Sequence, residues 1–279
     1  MKPGSRQKKM NAPDYYPQRI ICMTEETTET LYLLGEQDRI AGISGFTVRP
    51  PQARRDKPKV SAFTSAKIDK ILALKPDLVL GFSDLQADIA AELIRHGIEV
   101  HVFNHRSVAE ILKMMVQLGS MVGAGQKAID WVTDWEQQAA RCKARLPDRS
   151  ERPLVYFEEW DDPIITGIQW VSELIGLAGG RECFPEHACQ ALGKDRILED
   201  RLEVARRKPD IIIGSWCGKK FRPEKVAARE GWQKIPAIRH GQVFEIKSAF
   251  ILQPGPAALT DGLVELQRII GDWQRQRSA

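Results

Sequence analysis

The sequence has few cysteines, little net charge and no long apolar run, and each shortage argues against a class of protein. Its five cysteines are odd in number and irregularly spaced, which does not suit a disulfide framework. A net charge of +4, with basic residues dispersed beyond the N-terminus, does not favour nucleic-acid binding. No apolar run approaches the length of a transmembrane helix. The remaining expectation is an ordinary globular chain of 279 residues, long enough for two modest domains.

The motifs of nucleotide and hydrolase chemistry are also missing. No G-x-G-x-x-G opens a helix after a predicted strand, and there is no G-x-S-x-G elbow or H-E-x-x-H zinc motif. Cys183, His187 and Cys189 are ligand types suited to zinc, but a closed site needs a fourth ligand. The alternative is a loop whose cysteines are small packing residues. We predict no catalytic residue, no metal site and no prosthetic group.

The N-terminus is basic but lacks the apolar segment of a signal peptide. Residues 1–17 are predicted to be a flexible tail, and the first apolar run, from Ile20, is predicted to be a core strand. From the sequence as it stands we expect a cytoplasmic protein, or a periplasmic one if the natural start lies upstream of Met1.

The main positive feature is a repeated segment. Lys75–Gly81 reads KPDLVLG, and Lys208–Gly214 reads KPDIIIG. In both copies a helix-like run meets a proline that cannot continue it, and a wholly apolar run follows. Such a run predicts a strand covered on both faces, as in a parallel sheet. The chain is therefore predicted to be built from two similar halves.

Strands alternate with helices in each half, which predicts an α/β protein with two Rossmann-like lobes around central parallel sheets. Val108 to Leu146 is predicted to be a long helical region between the lobes, interrupted near Gly119 to Gly125, and the apolar stripe of its second part, Ile129 to Leu146, predicts a long amphipathic linker helix. The predicted domains are an N-terminal lobe (18–106), a linker helix region (107–147) and a C-terminal lobe (148–279).

Aromatic residues follow several of the predicted strands, namely Phe63, Phe82, Trp160, Trp216 and Phe250. Ligands of parallel sheets lie beyond the carboxyl ends of the strands. Each ring alone could cover the edge of a core. Together they predict a wide apolar cleft between the lobes, suited to a large planar or ring-shaped ligand.

The order of these motifs resembles the periplasmic solute-binding proteins for cobalamin, haem and ferric siderophores. The resemblance covers nearly the whole chain after residue 18. It is carried by Thr28-Glu29, Gly35, Pro50-Pro51, both Lys-Pro-Asp strands, Gly97-Ile98, Gly179-Gly180 and Pro254-Gly255-Pro256. The Pro50-Pro51 loop, Phe157 to Gly167, and Gln253-Pro-Gly-Pro256 are most similar to the cobalamin branch.

This resemblance implies a monomer that binds cobalamin in the interlobe cleft without chemistry. The implied ligand-binding residues are Phe46, Arg49, Phe63, Phe82, Trp160, Thr166, Trp216, Phe250 and Gln253. Two alternatives stay open. One is a ferric siderophore or haem, for which more cleft cations are expected, with candidates Arg49, Arg54, Arg55, Lys219 and Lys220. The other is an enzyme acting on a corrinoid or tetrapyrrole.

The resemblance also implies a partner. Transporter-associated members carry an acidic residue on each lobe, seven positions before the strand-opening proline, and dock through it on the permease of an ABC transporter. Here the first position is Asp69, whereas the second is Leu202, with Glu203 beside it. Asp69 and Glu203 are thus the predicted docking residues, and Leu202 departs from the pattern.

Overall fold

The computed structural model describes residues 15–278, which form two α/β lobes. Of the predicted tail, residues 1–14 lie outside the described residues. The first sheet lies within the predicted N-terminal lobe and the second within the predicted C-terminal lobe. The predicted fold class, with two lobes and central sheets, is confirmed.

The first lobe is built on a sheet of five parallel strands in the order β3-β2-β1-β4-β5. β4, the first Lys-Pro-Asp strand, lies next to the edge strand β5 and is buried at every position. The strands are β1 (Ile20–Cys22), β2 (Ile40–Ser44), β3 (Lys59–Ser61), β4 (Leu78–Phe82) and β5 (Val100–Phe103). The helices are α1 (Glu25–Leu34), α2 (Pro51–Asp56), α3 (Ile68–Ala73) and α4 (Ala87–Arg95).

The linker region consists of two helices, α5 (Val108–Met121) and α6 (Gly125–Ala144). Ser107 and Glu110 form a reciprocal capping box at the start of α5, which satisfies backbone donors that the first turn leaves free. The helices meet at Gly123, whose φ of 77° lies in the left-handed region that glycine favours. The predicted interruption therefore separates two packed helices.

The second lobe has a mixed sheet in the order β10-β9-β6-β7, with β8 also paired to β6. β7 is antiparallel to β6, whereas the other pairs are parallel. The strands are β6 (Leu154–Asp161), β7 (Ile164–Thr166), β8 (Arg181–Glu182), β9 (Ile211–Gly214) and β10 (Val243–Glu245). The helices are α7 (Gln169–Leu177), α8 (Pro185–Ala188), α9 (Leu202–Arg207), α10 (Pro223–Ala227), α11 (Pro236–Arg239), α12 (Ser248–Ile251) and α13 (Leu263–Ser278), the last preceded by a π-helical turn (Ala258–Gly262).

The aspartates of the Lys-Pro-Asp repeat have the same role in both lobes. The Asp77 carboxylate accepts a hydrogen bond from the backbone N–H of Arg19 at 2.9 Å, just before β1. The Asp210 carboxylate accepts one from the backbone N–H of Leu154 at 2.8 Å, at the start of β6. Each aspartate thus fixes the start of the neighbouring strand, which explains the repeat structurally.

One apolar cluster continues through both lobes and the linker helices. It includes Leu80 of β4, Met115 of α5, Phe157 of β6, Ile213 of β9 and Ile270 of α13. Because these side chains are buried in a common core, displacing one lobe requires exposing apolar surface. No helix among residues 15–278 is long and apolar enough to cross a membrane.

Candidate functional site

A cavity of about 410 Å³ lies between the lobes, at the carboxyl ends of the strands of both sheets. The first lobe contributes residues that follow β1, β2, β3, β4 and β5, and the second lobe contributes residues at the ends of β6, β7 and β9. The segment 252–254, after α12, completes the wall. The cleft therefore lies where the repeated strands predict it.

Five of the nine predicted ligand-binding residues line this cavity, namely Phe46, Phe63, Phe82, Trp160 and Gln253. Phe63 and Phe82 lie 6.5 Å apart between ring centroids on the first-lobe wall. Trp160 forms part of the opposite wall, and its indole N–H donates to the carbonyl of Asp162 at 2.9 Å. The structure thus brings aromatic surfaces from both lobes to one cavity.

Arg49 and Phe250 lie together, but not in the cavity lining. The Arg49 guanidinium contacts the Glu29 carboxylate at 3.0 Å and the Asp261 carboxylate at 2.6 Å. It also lies 5.1 Å from the centroid of the Phe250 ring. Glu29 further accepts a hydrogen bond from the backbone N–H of Ala257 at 3.1 Å. These contacts join the first lobe to the C-terminal segment.

Trp216 and Thr166 are buried and do not line the cavity. The Trp216 indole donates to the Glu158 carboxylate at 3.1 Å. The Thr166 hydroxyl donates to the carbonyl of Arg196 at 3.2 Å. The polar groups of both side chains are therefore bonded within the second lobe.

Five charged residues line the cavity that the sequence patterns did not single out, namely Glu25, Glu26, Arg106, Glu159 and Arg196. Three of them could have been identified from their position in the sequence, because Glu25 and Glu26 follow β1 and Arg106 follows β5, at the carboxyl edge of the sheet. Both glutamates lie in the first turn of α1, which begins at Glu25. No sequence pattern identifies Arg196, which is the last residue of a short 3-10 helix (Gly193–Arg196) before α9.

Burial makes two of the glutamates that line the cavity, Glu25 and Glu26, harder to ionise. Burial raises the pKa of the Glu26 carboxyl to about 8, with smaller contributions from the neighbouring carboxylates Glu25 and Glu29, while a 2.5 Å hydrogen bond from Thr24 acts in the opposite direction. Burial also raises the pKa of Glu25. Glu26 is therefore largely uncharged at neutral pH.

His105 lies behind the cavity wall and contacts the C-terminal segment. One ring nitrogen lies 2.8 Å from the carbonyl oxygen of Pro254. Burial lowers the pKa of His105 to about 4, which keeps the imidazole neutral, so its N–H donates to that carbonyl. The ring packs edge-on against Phe82 at 5.0 Å. His105 thus supports an aromatic wall residue.

The candidate zinc loop does not form a ligand cluster. Cys183 is buried, while Cys189 is exposed and its thiol lies 3.1 Å from the carbonyl of Glu186. His187 approaches the hydroxyl of Thr166 at 3.3 Å. Within residues 15–278, no three cysteine, histidine or carboxylate side chains are placed to hold a metal ion.

Known proteins are similar to this chain over nearly its whole length. The sequence model of the family described as "Periplasmic binding protein" matches residues 20–250. An uncharacterized ABC transporter substrate-binding lipoprotein of Bacillus subtilis is 26% identical over 263 residues, covering 91% of this chain and 80% of that protein. A vitamin B12-binding protein of Vibrio parahaemolyticus is 24% identical over 268 residues, covering 93% and 92%.

A structural comparison gives the same architecture. A periplasmic heme binding protein from Pseudomonas aeruginosa superimposes with a TM-score of 0.76 at 19% sequence identity, covering 91% of this chain and 92% of that one. At this identity the similarity shows the fold alone. Proteins named for vitamin B12 and for heme therefore share the architecture, and the choice of ligand depends on the side chains of the cleft.

Proposed function

This chain belongs to the periplasmic binding protein family, and we propose that it binds cobalamin in the interlobe cleft without changing it chemically. The observation that carries the proposal is the aromatic lining from both lobes, with Phe63 and Phe82 facing the cavity from one and Trp160 from the other. Aromatic faces suit a large ring-shaped ligand better than a sugar or an ion. The relatives named for vitamin B12 support the same ligand.

The distribution of cations supports cobalamin over a ferric siderophore or haem. None of the candidate cations from the sequence lines the cavity, namely Arg49, Arg54, Arg55, Lys219 and Lys220. Arg54 donates to the carbonyls of Gly45 and Thr47, and Lys219 contacts the Asp161 carboxylate at 2.6 Å. Two other arginines do line the cavity, but Arg196 is paired with the Glu159 carboxylate, so a polyanionic ligand would find only Arg106 without an ion pair among the described lining residues.

The direct test is a titration of the purified protein with cyanocobalamin, hemin and a ferric siderophore, followed by absorbance and tryptophan fluorescence. We expect saturable binding of cyanocobalamin, and weaker binding of the other two. No cyanocobalamin binding up to roughly 100 micromolar would overturn the proposal. Preferential hemin binding would favour the second candidate.

Trp160→Ala should weaken cyanocobalamin binding about 10- to 100-fold, because a buried aromatic anchor commonly contributes this much. Trp160 is partly buried in the cavity wall, so its removal should leave the fold intact. Tyr15→Ala is the matched control, since Tyr15 is 89% exposed and outside the cavity lining. An unchanged dissociation constant in Trp160→Ala would refute this site.

A permease partner belongs to the same proposal. The Bacillus subtilis relative is named as an ABC transporter substrate-binding lipoprotein, which supports both a transporter partner and the periplasmic alternative. Asp69 is exposed on α3 and available for docking. The Glu203 carboxylate instead contacts Arg206 at 2.7 Å and Arg207 at 3.0 Å. Docking by Glu203 would require these internal ion pairs to open.

A further inference from the structure

Two arginines line the cleft from different parts of the chain. Arg106 follows β5 of the first lobe, and Arg196 lies between α8 and α9 of the second. The Arg106 guanidinium also reaches across the cleft edge and donates to the carbonyl of Ala191 at 3.3 Å. Burial lowers the pKa of Arg106, and the positive charge of Arg196 lowers it further. The two guanidinium groups are therefore close enough to repel each other.

Arg196 is 1% exposed and carries an unused donor. Its two terminal nitrogens contact the Glu159 carboxylate at 2.5 and 3.2 Å, and one of them also donates to the carbonyl of Thr166. Its Nε has no hydrogen-bond partner within residues 15–278. A buried N–H without an acceptor is costly, so a ligand acceptor that reached this nitrogen would be stabilised.

Arg106 is the cleft arginine whose guanidinium forms no ion pair among the described residues. Its guanidinium donates to the carbonyls of His105 and Ala191 and lies 4.6 Å from the Phe82 ring centroid. The Glu110 carboxylate accepts the backbone N–H of Arg106 at 2.7 Å rather than pairing with its guanidinium, and Asp84, Glu110 and Glu26 act on the guanidinium by charge alone.

The positive charge of Arg106 is not neutralised by an ion pair with a neighbouring side chain within residues 15–278. Glu159 neutralises Arg196 through their ion pair. Glu26 is largely protonated at neutral pH, because burial raises its pKa to about 8, and burial raises the pKa of Glu25 in the same direction. The charge of Arg106 is therefore the one that a ligand can compensate.

We propose that Arg106, together with the Nε of Arg196, recognises an oxyanion on the ligand, namely the phosphodiester that joins the nucleotide of cobalamin to the corrin ring. The inference rests on the proposed function and deepens it. Corrin side chains are largely neutral amides, so one uncompensated cation matches the single negative charge of this phosphodiester. The site then distinguishes complete cobalamin from cobinamide, which has the corrin ring but no phosphodiester.

The test compares cyanocobalamin with dicyanocobinamide, using dissociation constants of the wild-type protein and of Arg106→Gln. We expect the wild-type protein to bind cyanocobalamin about tenfold more tightly, the range of a charge-assisted hydrogen bond. Arg106→Gln should lose this preference while its cobinamide affinity stays within about twofold of wild type. Arg196→Lys, which keeps the charge opposite Glu159 but removes the Nε donor, should lose part of the preference.

The control is Arg201→Gln, because Arg201 is exposed, pairs with Asp162 and does not line the cavity. This variant should keep the wild-type preference. Equal wild-type affinity for both corrinoids, or an equal loss for both in Arg106→Gln, would overturn the phosphodiester assignment and leave cobalamin binding intact. If neither corrinoid binds, the proposed function fails and the assignment fails with it.

Discussion

Glu26→Gln should make the protein more stable at pH 9 than the wild type, while both have similar stability at pH 5. The physical reason is the position of Glu26, which is 1% exposed at the start of α1, beside the cavity and against Gly255. A carboxylate charge at this position loses its hydration, whereas glutamine keeps the shape and the acceptor for the Thr24 hydroxyl.

The direction of the pH dependence follows from the raised pKa. Burial raises the pKa of Glu26 from 4.5 to about 8, so the folded protein holds a proton that the unfolded chain releases above about pH 4.5. The contribution of this group to stability is fully present below about pH 4.5 and is lost as the pH rises to about 8. The difference between a pKa of 4.5 and one of about 8 corresponds to about 5 kcal/mol, as an upper bound.

Urea unfolding at pH 5, 7 and 9 measures this effect. The wild-type midpoint should fall as the pH rises, and the Glu26→Gln midpoint should fall less. Some slope should remain, because burial also raises the pKa of Glu182 to about 7 and raises that of Glu25. Glu230→Gln is the matched control, since Glu230 is an exposed carboxylate. If the urea midpoints of the wild type and of Glu26→Gln fall equally as the pH rises, the ionised Glu26 carboxylate does not destabilise the folded protein, and the prediction is wrong.

The fold was largely predictable because its signals are local. Lys75 and Lys208 lie in the left-handed region, with φ of 47° and 53°, at the ends of their helices, and the proline that follows each cannot continue a helix. The buried strands that follow have continuous apolar sequences, which distinguishes a parallel sheet from an alternating one. Local sequence thus determines helix ends and buried strands in both lobes.

The parts of the fold that were missed depend on contacts distant in sequence. β7 has only three residues and pairs with β6 in an antiparallel hairpin, which the Lys-Pro-Asp pattern does not predict. α2 was expected to be a loop, because Pro51–Asp56 has no apolar stripe beyond the buried Ala53. Such short elements are stabilised by their neighbours and carry little signal of their own.

The cleft was predictable in position but not in its full lining. Strand ends determine where a ligand cavity lies, and Phe63, Phe82 and Trp160 all reach it. The direction of each side chain depends on its tertiary partners. Trp216 follows β9 as expected, yet its indole N–H is bonded to Glu158 on the neighbouring strand, and Phe250 lies beneath Arg49. Their roles in ligand binding stay predictions.

Glu158→Ala should cost about 3 to 5 kcal/mol of unfolding free energy, because it leaves a largely buried guanidinium without its partner. The Glu158 carboxylate is fully buried and accepts hydrogen bonds from Arg229 at 2.6 and 2.8 Å. It also accepts from the hydroxyl of Tyr156 at 2.8 Å and the indole of Trp216 at 3.1 Å. One truncation therefore leaves donors on three side chains unpaired.

The comparison that isolates this effect is a double-mutant cycle with Arg229→Met, measured by urea unfolding. Glu158→Ala combined with Arg229→Met should be less destabilised than the sum of these two single variants, because no charge is then left unpaired. Glu203→Ala removes two ion pairs on the surface of α9, to Arg206 and Arg207, and should change stability far less than Glu158→Ala. If Glu158→Ala costs no more than Glu203→Ala, the buried network does not stabilise the second lobe. If it costs the expected amount, the loop that carries Trp216 and the cavity residue Cys217 is held by Glu158 from behind the cleft.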